Sequence, residues 1–406
     1  MIPIEEAIRS VLDHTQAVDV TAVDLVDALG RTLAEDVRSD VNMPPFDKAM
    51  MDGYAVLAAD VATASPEAPA VLDIVEEIPA GAMPTRSLSV GEASRIMTGA
   101  PMPEGAETVV MVEDTADTPD GNQVQIFAAY GNGKNVGRLA EDVRIGQVVL
   151  EAGSLVRPPE IGIMAAVGAV RVPVYRQPTV GVVATGDEII EPGTRPEGGQ
   201  IRNSNGYSMA AQIQAAGARA LYLGISEDRE EVLRDTIARG LEACDILLLS
   251  GGVSAGLYDL VQGAMRDCGV EILFDRLRMK PGKPLTFGAK GQKLVFGLPG
   301  NPVSTVVGLE LMVRPAIRKM QKMGDLHRPA AKGSLVETFR QRPGRKQFVP
   351  AWSEAQDGRW QTRWVGHHGS ADLFALANAN SLFVIEAEAE VVEAGSEVDI
   401  ILLTEW

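Results

Sequence analysis

The chain has 406 residues, 46% of them hydrophobic and 23% charged, as in folded globular proteins, and this length predicts more than one domain. Its 55 acidic and 37 basic residues give a net charge of −18, which argues against a broad surface for nucleic acid or acidic membranes. The apolar runs are too short for a membrane helix, the first residues lack a signal-peptide pattern, and the two isolated cysteines, Cys244 and Cys268, are typical core residues of a reduced, cytoplasmic protein.

The N-terminal part of the chain changes its pattern near residue 38. Apolar residues at helical spacing predict one helix within residues 1–20 and a second within residues 21–36, broken near Gly30. From about 38 to 150, short β-like runs are separated by proline, glycine and aspartate. We interpret this region as an inserted all-β domain.

Residues 178–320 alternate regularly between strand-like and helix-like segments. Such alternation is typical of βαβ units, in which helices cover both faces of a mainly parallel sheet. Residues 330–406 return to short β runs, which predict a small β-barrel. The predicted fold class is therefore multidomain α/β plus β, with a parallel-sheet α/β domain between the inserted β domain and the C-terminal barrel.

Acidic residues follow two strands of the predicted sheet, at the edge where open α/β sheets bind ligands. Asp187 and Glu188 come after the first strand, and Asp228 comes after the second. A purely structural interpretation is also available for each. The first pair fits a polar turn, and Asp228 with Glu231 three residues later fits a capping box, in which Asp228 is the N-cap of the next helix.

A glycine-rich turn, SGGVSAGLYD, joins the third strand to its helix. Here the backbone N–H groups of Ser250, Gly251, Gly252 and Ser254 can approach an anion closely. Asp259, near the start of the helix, can hold a divalent cation that bridges to a phosphate. The turn matches neither the P-loop nor the dinucleotide-binding fingerprint, which argues against a dinucleotide oxidoreductase.

Two proline-containing segments complete the same edge. In LPGNPVS, two prolines stiffen the turn and Asn301 fits the N-cap of the following helix. In MKPGKP, Lys280 and Lys283 are held between prolines, shortly after Arg276. Lysine runs usually lie on a solvated face, but basic residues held in this way in an acidic protein favour a phosphate site. Scattered histidines and the absence of a CxxC pair argue against a preformed zinc site, so any metal is expected to have oxygen ligands.

Taken in order, these segments resemble the molybdopterin molybdotransferase family, which includes the C-terminal domain of gephyrin. The resemblance runs from the first predicted helix to the last β run. It is carried by PPFDKAMMDGYAV, RIMTGAPMPEGAETVVMVED, NVGRLAEDV, VATGDEI, IRNSN, SGGVSAGLYD, MKPGKPLTFG, LPGNPVS and RPGRKQF.

The resemblance implies four domains: an elongated N-terminal domain at 1–37 and 145–175, an inserted β-rich domain at 38–144, a molybdopterin-binding α/β domain at 176–325 and a C-terminal β-barrel domain at 326–406. It further implies a cytoplasmic homodimer with its active cleft between subunits. The implied reaction inserts molybdenum from molybdate into adenylylated molybdopterin, with Mg²⁺, and releases AMP. The molybdopterin adenylyltransferase and apo-molybdoenzymes are the implied protein partners.

The resemblance also assigns residues, motif by motif. The catalytic positions are Asp52, Thr98, Asp142, Glu188, Asp228 and Asp259, and the last three are implied to hold the metal, Asp228 while also capping its helix. With the glycine-rich turn, Lys283 and Asn301 added from the residue patterns above, the substrate-binding positions are Ser250, Gly251, Gly252, Ser254, Arg276, Lys280, Lys283, Pro299, Asn301, Pro302, Arg345 and Ser370. The chemistry fits, because molybdate is a dianion that Arg and Lys neutralise and phosphoanhydride cleavage needs charge neutralisation.

The chain departs from the family pattern at a few positions. The three residues from Lys48 stand where an Asn-Ser-Ala run is common, and the pair beginning at Leu139 stands where Arg and Gly are common. Arg276 replaces a usual lysine. These departures bear on molybdate affinity and on the implied cross-subunit contacts of Asp142.

Two other functions use related domains. A molybdopterin adenylyltransferase has a similar α/β domain without the additional β regions, and it consumes ATP. A non-catalytic scaffold, as in gephyrin, is the second alternative, but we expect no further domain or long linker beside the enzyme-like region.

Overall fold

The computed structural model describes residues 1–251, 257–366 and 369–403, without the side chains of residues 257–259. The chain divides into two compact units. Unit 1 comprises Met1–Glu35, Gly153–Arg157 and Arg171–Trp406, and unit 2 comprises Asp36–Ala152 and Pro158–Val170. The finer division into four domains stays a prediction.

Unit 1 begins with the helix Ile4–Asp13, which lies within the first helix that the sequence predicts. The second predicted helix is wrong. This segment instead forms the strand Val20–Asp24 followed by one turn of 3₁₀ helix at Leu25–Ala28. The strand pairs antiparallel with Arg171–Tyr175, so β-branched residues and a distant partner strand override the local helical spacing.

The central sheet of unit 1 is mixed. Its described strands run in the order Arg219–Ser226, Thr179–Thr185, Ile246–Gly251, Lys293–Leu298, Thr286–Lys290 and Glu271–Phe274. The first four are parallel, which confirms the predicted βαβ arrangement, whereas the last two pair antiparallel. The two residues between Lys290 and Lys293 allow only an antiparallel hairpin, because a parallel crossover needs about a dozen residues.

Helices cover both faces of this sheet, and the strand Thr179–Thr185 is therefore buried along its whole length. Val180 packs in one core with Ile213, while Val183 packs in a separate core with Leu233. The helices are Ser204–Ala215, Glu230–Ala243, Leu257–Asp267, Pro302–Gly308 and Arg314–Met320, with a π-helical turn at Leu309–Val313.

The parallel strands bring distant parts of the sequence to one edge of the sheet. Their carboxyl ends are Thr185, Ser226, Gly251 and Leu298. The residues that follow each strand therefore lie next to one another, as expected for an open α/β sheet. A short parallel pair, Ile189–Ile190 with Ile201–Arg202, follows the first strand at this edge.

The C-terminal region forms a closed β-barrel, as predicted. Five described strands pair in a ring, in the order Lys346–Gln356, Arg359–Trp364, Ala330–Leu335, Glu397–Leu402 and Ser381–Ile385, and the last pairs with the first. The strand Met279–Lys280, which comes from the α/β part of the chain, pairs with the start of Lys346–Gln356. The pair Phe339–Arg340 with Val391–Val392 and the helix Leu373–Ala377 complete this region.

Unit 2 is β-rich, as the sequence predicts for the region after residue 38. The described strands of its main sheet run in the order Thr108–Met111, Gly53–Val56, Glu92–Ile96, Ala70–Ile78, Gln123–Ile126 and Thr115–Asp117. Two smaller pairs join Lys48–Ala49 with Val136–Gly137 and Val37–Arg38 with Val148–Leu150. The helices are Ala58–Val61 and Pro158–Ala166, with a 3₁₀ turn at Val112–Asp114.

The cysteine prediction holds for one of the two residues. Cys244 is buried, whereas Cys268 is only half-buried. In the described parts of the chain, every helix is too short or too polar to cross a lipid bilayer.

Candidate active site

A cavity of about 400 Å³ lies at the carboxyl edge of the central sheet. Glu188 and Asp228 line it, so we call it the acidic pocket. It is built by the strand ends, because its lining residues lie at or just after the carboxyl ends of four parallel strands and at the starts of two helices. The others that matter below are Thr185, Asn205, Ser250, Gly251, Asn301 and Pro302.

Asp228 does not cap the following helix, contrary to the capping-box interpretation. The helix Glu230–Ala243 begins one residue later than that pattern requires, and its N-cap is Arg229. The backbone N–H of Asp228 instead donates to Asp187 Oδ1 at 3.2 Å, which ties the turn to the neighbouring strand end. This leaves the Asp228 carboxylate available to the acidic pocket.

Three buried acceptor oxygens of the acidic pocket have no hydrogen-bond partner among the described residues: Thr185 Oγ1, Asn205 Oδ1 and Asp228 Oδ1. The Asn205 amide is held in place, since its Nδ2 donates to Ser250 Oγ at 3.0 Å and to the Gly300 carbonyl at 2.8 Å. A buried acceptor without a donor costs about 1–3 kcal/mol. Three of them in one cavity can accept from water or another donor, or can act as ligands of a cation.

The charge distribution in the acidic pocket also suits a cation. Burial raises the pKa of Asp228, and the negative charges of Asp187 and Glu188 raise it further. The described residues contain no ready-made group of three or more His, Cys, Asp or Glu side chains in metal-binding geometry. The side chain of Asp259, the third predicted metal ligand, lies outside the described atoms.

The start of the glycine-rich turn shows why glycine is needed there. Gly251 has a φ of 128°, and a Cβ at this position would lie 1.9 Å from the Thr185 carbonyl oxygen. Any side chain would therefore collide with the neighbouring strand. Gly252 and Ser254, which the sequence predicts as anion contacts, lie outside the described residues.

A second cavity, of about 720 Å³, lies between the segment Met279–Lys280 and the barrel within unit 1. Among the described residues, four cationic side chains and one carboxylate, Glu337, line this cavity, so we call it the basic pocket. These cations are Lys280, Lys283, Arg340 and Arg345. None of the four forms an ion pair with a carboxylate of the described residues.

Strand pairing positions the basic pocket. Lys280 lies opposite Gln347 in the parallel register with the barrel strand, and Arg345 Nη1 donates to the Met279 carbonyl at 3.4 Å. Gln347 is buried, and its Oε1 has no partner within the described part of the chain. The lysine predicted from MKPGKP and the arginine predicted from RPGR therefore face one cavity, although 65 residues separate them in sequence (345 − 280).

The two pockets share a wall. Asn301 lines both of them, Pro299 and Ser370 line the basic pocket, and Pro302 lines the acidic pocket. Asn301 Nδ2 donates to Ser370 Oγ at 2.7 Å, and the Val303 N–H donates to the Ser370 carbonyl at 3.0 Å. These bonds hold the turn LPGNPVS against the segment that follows residue 368.

One predicted anion-binding residue lies apart from both pockets. Arg276 does not appear among the described lining residues of either cavity. Its side chain is exposed and lies 3.9 Å from Asp275. Its assignment as a substrate contact stays a prediction.

Unit 2 contains the remaining predicted catalytic residues. Asp52 Oδ1 accepts hydrogen bonds from the Thr98 backbone N–H at 2.7 Å and from Thr98 Oγ1 at 2.8 Å. These bonds lower the pKa of the Asp52 carboxyl. Asp142 is exposed and lies two residues after Ala140, which has a φ of 57°. The structure therefore brings Asp52 and Thr98 together.

Several pocket residues escaped the sequence analysis. Thr185 and Asn205 lie within VATGDEI and IRNSN, motifs that carry the family resemblance but whose neutral residues received no role. Arg340 and Gln347 flank the RPGR segment. Thr185, Asn205 and Gln347 are neutral and give no charge signal in a sequence, and their oxygens without partners in the described chain mark them. Arg340 is charged, but it belongs to no motif that the sequence analysis used.

Comparison with known proteins gives consistent matches along the chain. Residues 2–168 match the MoeA N-terminal region (domain I and II), residues 181–319 match the family described as "Probable molybdopterin binding domain", and residues 332–403 match the MoeA C-terminal region (domain IV). The molybdopterin molybdenumtransferase of Bacillus subtilis is 35% identical over 406 residues, which cover 100% of this chain and 94% of that protein. The molybdopterin molybdenumtransferase of a Nostoc species is 36% identical over 97% of this chain and 90% of its own length.

Solved structures agree with these sequence matches. The crystal structure of the molybdopterin biosynthesis MoeA protein of Pyrococcus horikoshii OT3 superposes with a TM-score of 0.83 and 30% identity, covering 99% of this chain and 100% of that one. Fold, domain matches and full-length similarity coincide. The chain belongs to the MoeA family of molybdopterin molybdenumtransferases, transferases of molybdenum cofactor biosynthesis.

Proposed function

We propose that this protein inserts molybdenum from molybdate into adenylylated molybdopterin and releases AMP, with molybdate in the basic pocket and the phosphoanhydride in the adjacent acidic pocket. The observation that carries the proposal is the pair of cavities of opposite charge that meet at Asn301 and Ser370. A dianion suits the basic pocket, whereas a phosphoanhydride with its counter-cation suits the acidic pocket.

In the basic pocket, Lys280 and Arg345 supply the positive charge for molybdate. Both lack a carboxylate partner among the described residues, so their charges are free to act on a ligand. Charge-assisted hydrogen bonds to an oxyanion are roughly twice as strong as neutral ones. In a protein of net charge −18, such a local excess of positive charge is required to concentrate a dianion. Lys283 and the Ser370 hydroxyl extend the same lining.

In the acidic pocket, Glu188 and Asp228 are the proposed ligands of a divalent cation, with Asp259 as a third. The residues fit such an ion, because Asp228 Oδ1, Thr185 Oγ1 and Asn205 Oδ1 are all buried acceptors without donors in the described chain. Hard cations such as Mg²⁺ take oxygen ligands of this kind. When bound, Mg²⁺ would neutralise the negative charge of the phosphates during cleavage.

Other residues of the same edge orient the pterin substrate. The backbone N–H groups of the turn that contains Ser250, Gly251, Gly252 and Ser254 are proposed to hold phosphate oxygens. Pro299 and Pro302 stiffen the opposite side of the site, at the start of the helix Pro302–Gly308. The phosphoanhydride is thereby held beside the carboxylates, with its pterin end directed to the shared wall.

We further propose that the active form is a homodimer in which Asp52, Thr98 and Asp142 of one subunit complete the site of its partner. The support is that these residues lie in unit 2 and the two pockets lie in unit 1, together with the family resemblance. Asp52 accepts two hydrogen bonds from Thr98, which hold its carboxylate in one place and lower its pKa.

Subunit mixing tests the homodimer. Asp52→Ala and Asp228→Ala chains, each inactive alone, are co-refolded in equal amounts. Half of the dimers are then mixed, and each mixed dimer has one complete site, so about a quarter of the sites recover if pairing is random. A mixed dimer that forms but stays inactive would show that each subunit carries its own site.

Product analysis tests the reaction itself. Purified protein is incubated with adenylylated molybdopterin, molybdate and MgCl₂, and AMP release and molybdenum bound to the pterin are measured together. Stoichiometric appearance of both is expected. ATP consumption with free molybdopterin would instead identify an adenylyltransferase, and absence of both reactions would favour a scaffold.

A further inference from the structure

Asn301 occupies the N-cap position of the helix Pro302–Gly308, but its side chain does not cap it. No cap hydrogen bond from this side chain occurs within the described residues. The backbone carbonyl of Asn301 already accepts from the Thr305 N–H at 3.0 Å and from Thr305 Oγ1 at 3.1 Å, so the first turn is closed without the amide. The amide instead donates to Ser370 Oγ at 2.7 Å.

This bond determines what the Ser370 hydroxyl can do. A serine hydroxyl has one proton to donate and two lone pairs to accept with. Because Ser370 Oγ accepts from Asn301 Nδ2, its own proton must point away from Asn301. Ser370 lines the basic pocket, and no acceptor for its proton occurs in the described part of the chain. The proton is therefore free for a ligand of that pocket.

Hydrogen bonds to the backbone anchor the segments that carry Asn301 and Ser370. The Ser370 carbonyl is anchored by the Val303 N–H at 3.0 Å. On the other side, the Gly300 carbonyl accepts from Asn205 Nδ2 at 2.8 Å, which holds the turn that carries Asn301. Neither residue needs to move for the hydroxyl to donate into the basic pocket.

We propose that Asn301 is a positioning residue that turns the Ser370 hydroxyl into a hydrogen-bond donor for the oxyanion in the basic pocket. The inference rests on the proposed function, since it requires an oxyanion there. Asn301 acts through Ser370: while its amide nitrogen is the donor to Ser370, the serine cannot donate back to it. The reverse amide orientation would direct the serine proton to Asn301 and leave the oxyanion without that bond.

The sharpest test replaces Asn301 by its isostere. In Asn301→Asp the carboxylate accepts the Ser370 proton and adds a negative charge beside the basic pocket. We expect the dissociation constant for sodium molybdate, measured by titration calorimetry on the full chain at pH 7, to rise about 100-fold. Asn301→Ala only releases the hydroxyl, so a rise of roughly 3- to 10-fold is expected. Asn378→Asp, an exposed position after the helix Leu373–Ala377, is the matched charge control and should bind molybdate as the wild type does.

A double-mutant cycle separates positioning from a merely structural role. If Asn301 acts through Ser370, the double variant Asn301→Ala/Ser370→Ala should bind molybdate with the same affinity as Ser370→Ala alone. Additive losses, or an Asn301→Asp protein with wild-type molybdate affinity, would overturn the inference while leaving the proposed function in place. A wild-type protein that binds no molybdate would overturn both. Thermal unfolding of each variant shows whether the fold is retained.

Discussion

The acidic and the basic pocket are both charged cavities, and each suits a ligand of the opposite charge. In the acidic pocket the charges crowd one another: Asp228 lies beside Asp187 and Glu188, and its buried oxygen has no donor in the described chain. In the basic pocket Lys280 and Arg345 lie in a larger cavity and line it without carboxylate partners among the described residues. Carboxylates in the smaller, partly buried cavity suit a small cation, whereas the larger cavity lined by cations suits a larger oxyanion.

The two pockets also differ in how the chain builds them. The acidic pocket comes from the ends of adjacent parallel strands, so the topology of one sheet creates it. The basic pocket needs the pairing of Met279–Lys280 with the barrel strand that begins at Lys346. Because the acidic pocket is the proposed cation site, substitutions there should lower the rate of AMP release. Because the basic pocket is the proposed molybdate site, substitutions there should lower the affinity for molybdate.

The largest effect is expected for Asp228→Asn. This variant keeps the side-chain volume but removes the charge that we propose to hold the cation. AMP release should fall by about 100-fold or more at saturating MgCl₂, the order of loss seen when one element of transition-state charge stabilisation is removed. Because the buried Oδ1 of Asp228 has no donor in the described chain, the unliganded variant should unfold at the same temperature as the wild type or higher.

The control for Asp228→Asn is Asp235→Asn, an exposed carboxylate on the helix Glu230–Ala243. It should release AMP at the wild-type rate. If Asp228→Asn releases AMP at the wild-type rate, the acidic pocket takes no part in the reaction. The difference in charge between the two pockets would then have no role in catalysis.

Lys280→Ala should have the next largest effect. Loss of one charge-assisted contact costs about 1.5–3 kcal/mol, so the molybdate concentration for half-maximal rate should rise roughly 10- to 100-fold. The maximal rate at saturating molybdate should change far less, in contrast to Asp228→Asn. Steady-state kinetics at varied molybdate measure both quantities.

Lys332 offers the matched control for Lys280. It is an exposed barrel lysine that pairs with Asp399 at 2.7 Å, and exposed pairs contribute little. Lys332→Ala should leave the molybdate dependence unchanged. If Lys280→Ala behaves in the same way, the lysine is a solvated surface charge.

The smallest effect concerns stability and pH. The raised pKa of Asp228 means that the folded chain binds this proton more readily than the unfolded chain, whose pKa is near 3.8. The associated stability is present below about 3.8 and is lost as the pH rises through the higher pKa of the folded state. Urea unfolding of the wild type and of Asp228→Asn should therefore diverge in favour of the variant as the pH rises from 3.8, and then become parallel.

Magnesium sharpens this last comparison. A cation bound at Asp228 favours the ionised carboxylate, so millimolar MgCl₂ should reduce the divergence in the wild type and have no such effect on Asp228→Asn. Stability curves that stay parallel over the whole pH range would mean that the Asp228 carboxyl is solvated and not under strain from its neighbours.

Much of the molecule was predictable because its signals are local or repetitive. The alternation in residues 178–320 predicts the parallel strands, and residues after their carboxyl ends, such as Glu188 and Asp228, must meet at one edge. Short β runs likewise predict the barrel. The second N-terminal helix was wrong because the strand Val20–Asp24 depends on a partner about 150 residues away, which no local pattern contains.

The sequence by itself determined the family, the α/β and β regions, and the charged residues at the sheet edge, since periodicity, charge and ordered motifs are properties of the chain. Only the tertiary structure decided that Asp228 does not cap its helix, that Asn301 bonds to Ser370 instead of capping, and that neutral Thr185, Asn205 and Gln347 have unpartnered oxygens in the described chain. The physical reason is that a hydrogen bond depends on where two atoms lie in space. A side chain can form a hydrogen bond to a partner distant in sequence only after the whole chain has packed and brought the two atoms together.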